Sequence, residues 1–191
     1  MKRWFVFLFL LFCAVHYSFA QTDSLYAQRS IGFGFGLGAH GGDTRFDSGG
    51  TFLTLGYEYK KNARLRYSYS ASLMSSNFNT GSGQRPMDFK SISLRAIGNY
   101  DVLRKRRFSF FAGIGPVINL TTGTAGGDFN GPIPIPAVED TIFDVGLGLN
   151  VGIRFEPKTK DLGFEFVPFN AHVHTSRSAE AFLQFRFFKV F

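Results

Sequence analysis

One pattern constrains this chain more than any other: from Ile31 to its last residue, apolar side chains return at every second position in stretch after stretch. The end of the sequence, AEAFLQFRFFKVF, is the plainest case. Counting back from Phe191, the residues Phe187, Phe185, Leu183 and Ala181 are apolar at intervals of two, interrupted only by Lys189, while Gln184 and Arg186 fall in the other phase. A β-strand sends successive side chains to opposite faces, so this period places one face in an apolar medium and the other in a polar one. A helix would need apolar residues three and four apart, and the pattern excludes it.

Seven earlier stretches behave alike. Ile31, Phe33, Phe35, Leu37 and Ala39 alternate with the bare residues Gly32, Gly34, Gly36 and Gly38. Leu53, Leu55, Tyr57 and Tyr59 alternate with Thr54, Gly56 and Glu58; Leu65, Tyr67, Tyr69, Ala71 and Leu73 alternate with Arg64, Arg66, Ser68, Ser70 and Ser72. The fourth stretch sets Ile92, Leu94, Ala96, Tyr100 and Val102 against Ser93, Arg95, Asn99 and Asp101, and the fifth carries Phe108, Phe110, Ala112, Ile114 and Ile118 on one face. In the sixth, Phe143 to Phe155 alternate with Asp144, Asn150 and Arg154. In the seventh, Leu162, Phe164 and Phe166 keep one phase, and Phe169, Ala171 and Val173 keep the other. That slip falls beside Pro168, which cannot serve a regular ladder, and it predicts a β-bulge there.

The links alternate too. They are short after strands two, four and six (60–62, 104–107, 157–160) and long after strands one, three and five (40–50, 75–88, 121–139), with a short exception at 176–178. Transmembrane barrels have short periplasmic turns and long extracellular loops, and an even strand number returns both termini to the periplasm. Under that orientation Tyr59, Tyr100, Phe108, Phe155 and Phe191 fall at one level, the periplasmic aromatic belt, where apolar rings suit a half-wet interface.

The amino terminus reads as a cleavable signal peptide over residues 1–20: Lys2 and Arg3, an apolar run from Trp4 to Val15, and Ser18 and Ala20 at a small-residue cleavage site. The run is shorter than the roughly 20 residues a membrane-spanning helix needs. The expected domains are then 21–29, a short periplasmic segment, and 30–191, the barrel. Cleavage removes the single cysteine, Cys13, so neither a disulfide nor a cysteine metal cluster is expected in the mature chain. It also removes two cations and lowers the net charge from +7 to +5, a balance that suits anionic lipid or glycan and gives no reason to expect nucleic acid. Of the 25 phenylalanines, 5 lie in the leader; the remaining 20 would need burial in a soluble domain, but lipid can accept them on the outside.

With its eight alternating strands, its alternating links and its terminal aromatic, the chain resembles the small outer-membrane β-barrel family of Gram-negative bacteria that includes OmpX, OmpW and the transmembrane domain of OmpA. The resemblance covers about 160 residues. It implies an all-β, eight-stranded, antiparallel up-and-down barrel in the cell outer membrane. It further implies export by the Sec route, contact with outer-membrane lipids and lipopolysaccharide, and insertion by the outer-membrane assembly machinery. Leu183, Phe185, Phe187 and Phe191 would form the assembly signal. It transfers no site, and the surface ligand stays unnamed.

The inward phase collects charge. Glu58, Arg64, Arg66, Arg95, Asp144, Arg154, Glu165, Gln184 and Arg186 are expected to form a lumen polar network, because an eight-stranded interior is just wide enough for side chains to fill and an unpaired buried charge is strongly unfavourable. A plug is therefore favoured over a polar conduit. The Gly36-Leu37-Gly38-Ala39-His40-Gly41 stretch matches G-x-G-x-x-G in letters, but it lies in a period-two strand with no helix pattern after it, so packing and not nucleotide binding accounts for it. His174, Ser176 and Glu180, with His172 beside them, are the minimal set for a hydroxyl nucleophile. In a few residues they resemble the His-x-Ser of outer-membrane lipid A deacylases, although Arg177 stands where an asparagine usually follows the serine. A wet hairpin explains these residues as well, so no catalytic residue is assigned. No cofactor is expected, and the two histidines lack an evident third metal ligand in sequence. The expected function is a non-enzymatic barrel presenting loops for surface interaction, adhesion or envelope integrity. A lipid A-modifying hydrolase and a small channel for apolar solutes are the alternatives.

Overall fold

The computed structural model describes residues 28–42, 48–76, 87–125, 138–156, 162–175 and 178–191; the leader lies outside them. Eight strands follow in order: β1 (Gln28–Gly42), β2 (Ser48–Lys60), β3 (Leu65–Ser76), β4 (Met87–Lys105), β5 (Phe108–Ala125), β6 (Val138–Phe155), β7 (Leu162–His174) and β8 (Ser178–Val190). Each pairs antiparallel with its neighbours, and β8 pairs with β1 from Ser30↔Val190 to Gly42↔Ser178, closing the ring. Closure leaves no unpaired strand edge, which is the condition for strands to cross a bilayer.

The alternation sets the two faces. Ile31, Phe33, Phe35 and Leu37 are exposed while the glycines between them face inward, and Leu53, Leu73, Leu94, Ile114, Phe143 and Leu183 are exposed in the same way around the ring. In water this would be a severe defect; in lipid it is the solvent-matched face. Where Ala71, Ala96 and Pro116 meet on the outside, the wall is thin in side chains and leaves a depression of about 860 Å³ flanked by Leu55, Tyr57, Tyr69 and Leu94.

The inward glycines of β1 make room for β8. A Cβ on Gly32 would lie 2.5 Å from Arg186 Nε, and one on Gly38 would lie 2.5 Å from the Phe182 ring. The G-x-G-x-x-G letters accordingly sit inside a regular strand.

The slip at Pro168 is a β-bulge: the β7–β8 register shifts between Val167 and Asn170, and Pro168 and Phe169 are both exposed in succession. A second bulge, between Asp101 and Leu103 on β4, turns both Val102 and Leu103 outward. The strands also run past the expected limits. β1 begins within the segment 21–29, and β4, β5 and β6 extend to Met87, Ala125 and Val138, so part of each expected long loop is barrel wall.

Candidate functional site

The interior is lined mostly by polar side chains, with an apolar cluster of Phe52, Met74, Phe89 and Phe182 among them, and its side chains arrange in layers. At the end that holds the termini, Lys60 Nζ donates to both oxygens of Glu156 at 2.8 and 3.0 Å, and Arg104 Nη2 reaches Glu156 at 2.6 Å. Glu156 lies just beyond the end of β6. Burial pushes its carboxyl up, but the hydrogen bond from Lys60 and the charges of Lys60, Arg154 and Arg104 outweigh burial and hold it below the ordinary carboxylate range.

Above this lies a six-membered ionic layer. Arg66, wholly buried, donates from Nη1 to Glu58 (3.1 Å) and Glu165 (2.9 Å) and from Nη2 to Asp101 (3.0 Å). Arg154 reaches Glu165 at 2.6 Å and Glu58 at 2.7 Å, and Arg186 reaches Glu165 at 3.2 Å. Three guanidinium groups thus meet three carboxylates, an arrangement that offsets the cost of burying charge. Aromatic rings from the inward phase cover what remains: the Arg154 guanidinium lies 3.7 Å from the Phe188 centroid, and that of Arg66 lies 4.6 Å from Phe111.

The middle layer is built on Arg95, which donates to Ser70, Thr54 and Ser72 at 3.0 to 3.1 Å. Asn170 donates to Gln184 at 3.0 Å, and Asn99 to Ser68 at 2.8 Å. A cavity of about 30 Å³ lies beside them, lined in part by Asn99, Asn150 and Arg186, each of which carries a polar atom with no partner among the described residues. It is polar and large enough for ordered water.

The far layer centres on Glu180. In the sheet Glu180 sits directly between His40 of β1 and His172 of β7. Its Oε1 lies 3.2 Å from His40 Nδ1 and accepts from Ser91 and Asn119 at 3.1 Å each; its Oε2 lies 3.0 Å from His172 Nδ1 and 3.6 Å from His174 Nε2. Rings close the layer, with Phe182 4.9 Å from His172 and Phe89 5.3 Å from His40.

Comparison with known proteins accords with this architecture. Residues 5–166 match the model of the outer membrane protein beta-barrel domain. The chain belongs to that family. Among solved structures, this barrel is similar to Neisserial surface protein A at 14% identity and TM-score 0.64, over 85% of this chain and 97% of that one. It is also similar to Ail, the attachment invasion locus protein of Yersinia pestis, at 15% identity and TM-score 0.59, over 87% and 100%. A major outer membrane protein from Thermus thermophilus aligns at 15% identity and TM-score 0.54, over 86% and 99%. At such identities the likeness is one of fold. No curated protein matches the sequence.

Within this outer-membrane barrel, eight of the nine residues expected inside are buried: Glu58, Arg66, Arg95, Asp144, Arg154, Glu165, Gln184 and Arg186. Arg64 is the exception and corrects the expectation. It keeps the inward phase of Arg66, but β3 starts only at Leu65; Asn62 Oδ1 accepts from the Arg64 and Leu65 amides, and the exposed Arg64 side chain meets the Tyr100 hydroxyl. Below the barrel mouth there is no interior for it to enter. Tyr100, Phe108, Phe155 and Phe191 are exposed and Tyr59 half-exposed at the end of the barrel that holds the termini. His172, His174 and Glu180 come together, whereas Ser176 and Arg177 lie outside the described residues. Sequence reasoning missed His40, Ser91 and Asn119 as partners of Glu180. It also missed the inward phenylalanines 52, 89, 111, 182 and 188, for which the doublets Phe110-Phe111 and Phe187-Phe188 were the available signal.

Proposed function

We propose that the protein is a non-enzymatic outer-membrane barrel whose lumen is plugged and whose far end, taken as extracellular, presents its links for surface interaction, adhesion or envelope integrity. One observation carries the reading: charged and polar side chains bond across the lumen in successive layers, and the space beside the middle layer is about 30 Å³, room for water but not for a solute. The links that would meet a surface partner include 43–47, 77–86 and 126–137, which lie outside the described residues, and their composition names no ligand. Sec export, insertion by the assembly machinery through the terminal strand with Leu183, Phe185, Phe187 and Phe191, and contact with lipopolysaccharide belong to the same proposal.

The hydrolase alternative needs a histidine and serine that reach an acyl chain. His172 and His174 face the lumen with side chains wholly shielded, and Glu180 is engaged by neutral and imidazole partners at once. That geometry favours a held cluster over a nucleophile facing lipid. Reconstitution into planar bilayers tests the main reading. A silent bilayer is expected; discrete conductance steps would replace the plug with the channel alternative. Lipid A acylation unchanged between wild type and Ser176→Ala is the matching expectation for the absence of hydrolase activity.

A further inference from the structure

We infer that the far end of the lumen holds a divalent transition-metal site of the zinc type, ligated by His172, His174 and Glu180. Their ligand atoms all lie within 4.8 Å of one another, and all three residues are buried. A tetrahedral zinc site with bonds of about 2.0–2.1 Å has ligand-to-ligand edges of roughly 3.3 Å. The two edges that Glu180 Oε2 makes, 3.0 Å to His172 Nδ1 and 3.6 Å to His174 Nε2, already have that span. The third edge, between the two imidazoles, lies within 4.8 Å and must shorten when both bind one ion.

Independent support comes from His174 itself. Its side chain is wholly shielded, yet neither ring nitrogen has a hydrogen-bond partner among the described residues. A neutral imidazole so placed loses its water without replacement, whereas a metal at Nε2 would engage it. The surroundings fit the same role. Metal-binding carboxylates are themselves oriented by hydrogen bonds, and here the oxygen not offered to the ion, Oε1, is held by His40, Ser91 and Asn119. Phe182 packs against His172 and shields the site. Two imidazoles and one carboxylate suit zinc, nickel or copper(II) and not calcium or magnesium, which prefer oxygen. One contact must open: Arg95 Nη1 lies 3.5 Å from His172 Nε2, which carries a proton once Nδ1 binds the ion. Ser70, Thr54 and Ser72 continue to hold that guanidinium.

The test uses the tag-free full chain, folded in detergent, stripped with chelator and titrated with zinc chloride against a fluorescent zinc indicator. One zinc per chain is expected, with affinity reduced at least tenfold in His174→Gln and in Glu180→Gln. Absence of stoichiometric binding, or affinity unchanged in both variants, overturns the proposal. If either variant loses the mobility shift between unboiled and boiled samples and so has not folded, X-ray absorption of the wild-type zinc complex decides. Two imidazole ligands support the site, and none overturns it.

Discussion

Arg66 is the residue on which the near half of the lumen depends, because it alone contacts Glu58, Glu165 and Asp101 together. Replacing it with methionine keeps much of the volume but leaves Glu58 and Glu165 to Arg154 and Arg186, and Asp101 to Arg104 at 3.5 Å. Breaking a buried pair by removing one partner costs about 3–5 kcal/mol, so Arg66→Met should lower the unfolding free energy, measured by urea titration of the lipid-reconstituted protein, by an amount of that order. Adding Asp101→Asn to the same chain should recover part of the loss; full stability in Arg66→Met would show that the ionic layer is not a unit. Glu156, at the mouth, sets a pH dependence. Its carboxyl is held below the ordinary value of 4.5 in the folded protein, so its contribution to stability is fully present above pH 4.5 and is lost as pH falls through the lower folded value. Glu156→Gln should therefore be less stable than wild type at neutral pH and lose less on acidification. Parallel pH profiles of the two urea midpoints would contradict this.

At the level of strands, the outward faces were readable from the sequence and the inward ones only in part. Leu94 and Lys189 show the logic of the outer face. Leu94 is exposed within β4 and flanks the lipid-facing depression, whereas Lys189 is exposed two residues from the end of the chain, where a long stem can reach the headgroups. Leu94→Arg should cost about 2–4 kcal/mol in lipid, while Lys189→Leu should change stability by less than about 1 kcal/mol, and urea unfolding in bilayers of fixed thickness would separate the two. The strand set, the bulge at Pro168 and the room left by Gly32 for Arg186 follow from period and residue size, which sequence displays directly. Strand limits were less legible, because Thr122 and Glu139 are compatible with either a loop or a ladder until Ala125↔Val138 pairing decides. Inward aromatics such as Phe188 were hidden because an apolar residue in the polar phase looks like noise; only the Arg154 guanidinium against its face explains it. The cluster at Glu180 was half visible. His172 and His174 are two apart on one strand, but His40 is 140 residues from Glu180 and reaches it only through closure of the ring.

For the molecule as a whole, that closure is the property from which the rest follows, since the far cluster and the ionic layer both draw on strands distant from one another in the chain. The seam between β1 and β8 places Leu37 opposite Leu183, both facing outward. Cα atoms paired across antiparallel strands are about 4.5–5.5 Å apart, within the range a disulfide tolerates. The sequence offers no competing thiol beyond Cys13 in the expected leader. The double variant Leu37→Cys, Leu183→Cys should therefore form an intramolecular disulfide under mild oxidation of the folded protein. Because the bond joins nearly the two ends of the barrel, the oxidised chain should migrate differently from the reduced one even after boiling. Shifting one partner to Leu37→Cys, Phe182→Cys turns the second thiol into the lumen and should abolish the cross-link. Equal cross-linking of the two pairs would mean that the seam slips in register, and a slip by one residue would carry Glu180 to the lipid face and dismantle the histidine cluster with it.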